Sequence, residues 1–185
     1  MNTALTFAFA GTLGAGLALF RTGSRPSGEP SPPPSLLPFI TVDRLERSVS
    51  SWQPSSRAAA YLDRVRQAES KHRIPHNLLA RLIEQESNWN PDAFNGPTGA
   101  SGIAQIVPRW HPTVNNPFDP TEAIDYAGFY LRQLFNNFGT WDRALAAYNW
   151  GWGNVDHWIA SGEQFAALPR ETQSYVTDIT GDIPV

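Results

Sequence analysis

Apolar residues recur at helical spacing through most of the chain after residue 55. Ala58, Tyr61, Leu62, Val65 and Ala68 stand three and four apart, which marks one buried helix face. Pro75 suits a first helical position, and Leu78, Leu79, Leu82 and Ile83 carry a second stripe onward from it. Pro120 and Thr121 open a longer helix through Ile124, Ala127, Gly128, Leu131, Leu134, Phe135 and Phe138. Thr140 is placed to cap a shorter one through Trp141, Ala144, Leu145 and Tyr148, and Gly151 ends it. Val155, Trp158 and Ile159 predict a further helix, and Tyr175, Val176 and Ile179 a last. No alternating run of strand length occurs. The spacing predicts a mainly α domain over residues 55–185, with Ser55 or Ser56 as its first cap.

The residues before it follow another pattern. Thr3 to Phe20 is an uncharged, largely apolar run of 18 residues. As a helix it would be about 27 Å long at 1.5 Å per residue, just short of a bilayer core. Residues 1–21 therefore read as a membrane anchor, with a signal segment as the alternative. The absence of Lys or Arg before the run favours the anchor. Arg21 and Arg25 follow it instead, a small bias toward a cytoplasmic C-terminal side that Glu29 partly offsets. Residues 22–54 form a Pro/Ser/Gly-rich spacer centred on Pro32-Pro33-Pro34, a composition that favours extended chain.

Charge and composition narrow the function. The net charge is −3, and from residue 111 onward three arginines face nine acids. That leaves no basic face for a nucleic-acid backbone. The chain has no cysteine, which excludes disulfides, thiolate metal sites and cysteine nucleophiles. His72 and His76 stand four apart, but Pro75 between them breaks the helix a metal pair would need. The glycines from Gly96 to Gly102 come with no Lys and do not resemble a phosphate cradle.

One acid lies on an apolar stripe. Continuing from Leu82 and Ile83 by three and four residues reaches Glu86 and then Trp89, whereas Glu84 points elsewhere. The helix must end soon after, because Asn90 precedes Pro91. Burial and the negative end of the helix dipole both disfavour the carboxylate. A raised pKa is what a general acid at neutral pH requires. Spacing alone leaves open a structural Glu paired with an Arg. Asp92 and Asp119, each beside a proline, read as turn or cap residues.

The residues around Glu86 carry a resemblance. Glu86-Ser87-Asn88-Trp89-Asn90-Pro91 is followed by Gly99-Ala100-Ser101-Gly102-Ile103-Ala104-Gln105-Ile106-Val107-Pro108. Then come Asn116-Pro117-Phe118-Asp119-Pro120, Tyr130-Leu131-Arg132, Ala146-Ala147-Tyr148-Asn149-Trp150-Gly151-Trp152 and Leu168-Pro169-Arg170-Glu171-Thr172-Gln173-Ser174-Tyr175-Val176. In order and spacing, from about Ile74 to Ile179, this resembles the lytic transglycosylases of the soluble-type (SLT) catalytic domain. Two departures stand out. The family's usual Gly-Leu-Met-Gln is here Gly102-Ile103-Ala104-Gln105, and its Ala-Gly-Pro after Tyr-Asn is Trp150-Gly151-Trp152. Both bear on how a glycan or its peptide stem is gripped.

The resemblance implies a lysozyme-like helical domain with a cleft, acting on peptidoglycan glycan strands without metal or cofactor. Glu86 takes the family's catalytic acid/base position, and Ser87, Gln105, Tyr148 and Asn149 match positions that bind substrate. Tyr148 is expected to hydrogen-bond near Glu86 and orient it, and Ser87 to bond the acetamido group or cap the helix. Trp150 and Trp152 are candidates for stacking on sugars. The product implied is a 1,6-anhydromuramic acid end. A hydrolysing lysozyme-type muramidase and a non-catalytic wall-binding assembly protein are the alternatives. The setting implied is a domain facing the cell wall from a membrane anchor, or one carried by a virion. Its larger partners would be a secretion, conjugation or virion assembly.

Overall fold

The computed structural model describes residues 51–183. The expected anchor, and the spacer as far as residue 50, lie outside the described residues. Among those described, no helix is long and apolar enough to cross a membrane.

Among the described residues six α-helices carry the fold: α1 (Leu62–His72), α2 (Leu78–Ser87), α3 (Pro120–Phe138), α4 (Trp141–Trp150), α5 (Trp152–Ala160) and α6 (Arg170–Thr180). The expectation of a mainly α domain holds. Asp119 caps α3, its carboxylate accepting the Thr121 N–H at 2.7 Å, with Pro120 at the first helical position. Thr140 caps α4 through the Arg143 N–H at 3.4 Å. The first predicted stripe is divided, because Ser56–Ala60 forms a 3-10 turn ahead of α1.

The second helix starts later than Pro75. Pro75 to Asn77 form a turn closed by the Leu78 N–H on the Pro75 carbonyl at 3.1 Å, with Asn77 left-handed at φ 70°. The cap comes from outside the segment. Buried Glu69 of α1 accepts the Ala80 N–H at 3.3 Å, while the Asn77 side-chain oxygen is taken by Arg66 at 2.7 Å. Burial raises the Glu69 pKa, against the opposing pull of the Ala80 N–H and of Arg66.

A two-stranded antiparallel pair, Phe94–Asn95 with Ala100–Ser101, was not expected from the pattern; strands of two residues are too short to alternate. Gly102 closes it at φ 74°. A Cβ there would lie 1.8 Å from the Pro117 carbonyl oxygen, so only glycine allows this loop against the one leading into α3.

The apolar face of α2 forms the centre of the core, with Leu78, Leu79, Leu82 and Ile83 fully buried. It packs on α1, α3 and α6, while α4 packs on α3, α5 and α6. The packed body extends back past the expected start at Ser55. Glu84 accepts Trp52 Nε1–H at 3.1 Å, the Ser55 N–H at 2.9 Å and Trp89 Nε1–H at 3.3 Å. The Arg81 guanidinium lies 5.3 Å from the Trp52 ring centroid and pairs with Asp182. Asp182 also accepts the Ser51 N–H at 2.7 Å, clasping the two ends of the described body together.

Candidate active site

Glu86 sits in the last turn of α2, one residue before the helix ends. Asn88 and Trp89 follow in left-handed conformations, at φ 50° and 64°, and Trp89 is almost fully buried. That reversal stops α2 where the stripe predicted and holds Glu86 beside α6. Tyr175 of α6 donates its hydroxyl to Glu86 Oε1 at 2.5 Å. Desolvation pushes the Glu86 pKa up to about 7; the Tyr175 hydrogen bond opposes this and the negative charge of Glu171 adds to it. Glu86 is thus poised to hold or release a proton near neutrality. Glu84, two residues earlier on the same helix, has three N–H donors and belongs to the packing of the N-terminal segment.

The hydroxyl on Glu86 is Tyr175's rather than the expected Tyr148's. Tyr148 instead donates to the Ala104 carbonyl at 3.0 Å. Burial, and after it the charge of Glu86, hold the Tyr148 pKa well above the usual tyrosine range. Tyr148 tilts against Tyr130, ring centroids 5.7 Å apart. Ser87 donates to the Ile103 carbonyl at 2.7 Å and accepts the Asn90 N–H at 3.2 Å, tying the end of α2 to the glycine-bearing loop. Gln105, left-handed at φ 49°, donates to the Gly102 carbonyl at 3.0 Å and that of Ala93 at 3.4 Å. Asn149 accepts the hydroxyl of buried Thr172 at 2.8 Å, so α4 and α6 are fastened beside the acid.

Gln105, Tyr148 and Asn149 line one cavity of about 580 Å³, together with Trp110, His111, Tyr126, Tyr130, Trp150 and Trp152. Glu86 and Ser87 are not among its lining residues; the charge of Glu86 acts on Tyr148, which does line it. Trp152 stays 40% exposed and is tilted against Phe138, ring centroids 5.1 Å apart. His72 is bonded to Asp125 at 3.0 Å and His76 to Arg66 at 3.0 Å, on separate partners. Among the described residues no three His, Asp or Glu side chains gather as metal ligands.

Sequence reasoning placed Tyr175 on an apolar stripe and in the Leu168–Val176 motif but gave it no role at the acid. It also missed Glu171, Thr172 and His111. Tyr175 and Glu86 are 89 residues apart, so no local period links them. The signal present was Tyr175's place in the Leu168–Val176 motif.

A family profile described as Transglycosylase SLT domain matches residues 63–168, more than half the chain. The chain belongs to this family. The matched span holds Glu86 and the whole cavity; Tyr175 lies just beyond it. Curated relatives of this SLT domain include membrane-bound lytic murein transglycosylase F 2 of Alkalilimnicola ehrlichii, 33% identical over 126 residues, or 63% of the chain and 27% of that protein. The soluble lytic murein transglycosylase of Escherichia coli K12 is 31% identical over 142 residues, covering 65% of the chain and 22% of that protein. The transglycosylase of Enterobacteria phage PRD1 is 29% identical over 112 residues, covering 60% of the chain and 42% of that protein. The chain thus spans about a quarter of the length of the first two relatives. Among solved structures, the 70 kDa soluble lytic transglycosylase of Escherichia coli superposes with a TM-score of 0.57 at 28% identity, covering 66% of the chain and 23% of that protein.

Proposed function

We propose that this SLT domain is a peptidoglycan lytic transglycosylase, cleaving the β-1,4 bond between N-acetylmuramic acid and N-acetylglucosamine. The observation that carries the reading is the carboxyl group of Glu86, its pKa pushed up to about 7 by burial, with its charge acting on Tyr148 of a polar, aromatic cavity. Protonated Glu86 gives its proton to the glycosidic oxygen as the bond to C1 breaks. The muramic acid's own 2-acetamido oxygen supports the cation developing at C1. Glu86, now a carboxylate, takes the proton of the C6 hydroxyl, whose oxygen attacks C1 and closes a 1,6-anhydro ring. The proton lost in the first step returns in the second, and no water is consumed. Glycosidases that use water as nucleophile pair two carboxyl groups for this work; here one suffices. Tyr175 holds the carboxylate in the second step, when its hydroxyl can donate to a full negative charge.

Ser87, Gln105, Tyr148 and Asn149 shape the glycan site, mostly by fixing backbone and neighbouring helices around it. Names of the relatives support a wall-degrading role, and they span membrane-bound, soluble and phage proteins. The apolar run at residues 3–20 and the spacer after it support a tether that lets the domain face the wall, or delivery by a virion. Digestion of isolated sacculi tests the chemistry. Mass spectrometry is expected to find 1,6-anhydro ends that vanish with Glu86→Gln. Reducing ends alone would make the protein a hydrolase, and equal clearing by Glu86→Gln would remove Glu86 from the mechanism. Alkaline phosphatase fused after Ser56 is expected to be active, and activity of a β-galactosidase fusion instead would place the domain in the cytoplasm.

A further inference from the structure

The cavity lined by Tyr148 also holds a histidine to which the proposed reaction gives no role. His111 lines it, partly buried, with its ring edge-on to Tyr130 at 4.7 Å and to Tyr126 at 5.5 Å between centroids. His111 Nδ1 lies 2.9 Å from the Tyr126 hydroxyl. A phenol is the better donor of the two and a neutral imidazole nitrogen the better acceptor, so Tyr126 donates and the ring proton sits on Nε2. Burial lowers the His111 pKa, which favours the neutral ring. Among the described residues nothing bonds Nε2. The result is an oriented N–H held by two tyrosine rings in a cavity of about 580 Å³. Beside it Trp110 lines the same cavity and is 68% exposed. The Arg109 guanidinium stands 4.7 Å from its ring centroid and leaves the opposite ring face to the surroundings.

We propose that Trp110 and His111 form a subsite for an N-acetylated sugar, Trp110 stacking on the ring and His111 Nε2–H donating to the acetamido carbonyl. The acetamido carbonyl is the strongest neutral acceptor on such a glycan, and a flat indole suits the apolar face of a pyranose. The subsite deepens the reading of the protein as a glycan-cleaving enzyme and rests on it only for the identity of the polymer.

The test reads binding, not turnover. Full-length protein carrying Glu86→Gln is titrated with chitohexaose, the N-acetylglucosamine hexamer, following tryptophan fluorescence and heat. Adding His111→Phe keeps the aromatic packing and removes the donor; the expected loss of affinity is roughly fivefold, the worth of one hydrogen bond. His111→Gln, which retains an N–H donor, is expected to recover part of it. Trp110→Ala is expected to weaken binding by roughly tenfold or more, in line with loss of an aromatic stacking platform. With the fully deacetylated hexamer, His111→Phe is expected to change nothing beyond twofold. The proposal is overturned if the parent fails to bind chitohexaose or if His111→Phe binds it as tightly as the parent. It is equally overturned if the loss is as large with the deacetylated hexamer. Tight, His111-dependent binding by a protein that releases no anhydro ends would instead overturn the transglycosylase reading and leave the subsite standing.

Discussion

Replacing Glu86 by Gln should stabilise the protein, and only above a definite pH. The unfolded chain loses the Glu86 proton around 4.5, while the folded protein keeps it to about 7. Between those values the native state binds more protons than the unfolded one, so the contribution of this group to stability falls as pH rises. It is fully present below the unfolded pKa and lost by the time the folded pKa has been passed. At about 1.4 kcal/mol per unit over roughly 2.5 units, ionised Glu86 costs at most about 3.5 kcal/mol at pH 8.5. Gln is nearly isosteric with the protonated acid and its carbonyl can still accept from Tyr175, so little else should change. Thermal melts at pH 4 and pH 8.5 read the difference. The two proteins are expected to melt together at pH 4, and Glu86→Gln to melt roughly 5–10 °C higher at pH 8.5. A constant gap at both pH values would mean that packing, not charge, separates them. No gap at either would mean that burial does not hold the proton on Glu86.

Three further outcomes follow from the same geometry. Tyr175→Phe removes a donor that opposes the rise in the Glu86 pKa, so the alkaline limb of kcat/KM against pH should move up by about one unit or more while kcat drops; an unmoved limb would mean the hydroxyl does not hold the carboxylate. Gly102→Ala forces a Cβ onto the Pro117 carbonyl at a left-handed backbone, and urea denaturation should show a loss of about 3 kcal/mol or more. A fragment starting at Ser56 should unfold about 2 kcal/mol more easily than one starting at Ser51, because it lacks the Trp52 contacts with Glu84 and Arg81; equal urea midpoints would return the boundary to Ser55.

What the chain made legible was what repeats locally. Stripes at three and four residues located the helices, and the step from Ile83 to Glu86 set the acid on the right face. Asp119 and Thr140 announced their caps because an N-cap acts on residues two or three positions away. The unread parts depend on distance in sequence. The α2 cap comes from Glu69, so Pro75 looked like a start when it is part of a turn. Glu84 looked merely off the stripe, yet it organises Trp52, Ser55 and Trp89. Tyr148 carried the family resemblance and drew the orienting role, while the hydroxyl that meets the acid comes from Tyr175. His111 carries no period at all, and only the cavity gives it a meaning.

The clasp between Ser51 and Asp182 brings the ends of the helical body side by side. Its first and last described residues are therefore neighbours in space. Asp182, just past α6, also pairs with Arg81 of α2, so the clasp ties Ser51 to both helices that hold the Glu86–Tyr175 pair. Joining Ser51 to Ile183 by a short linker and opening new ends in the exposed turn around Ser161 and Gly162 should therefore yield a permuted protein that still folds. Modules of this kind are easily inserted into longer polypeptides.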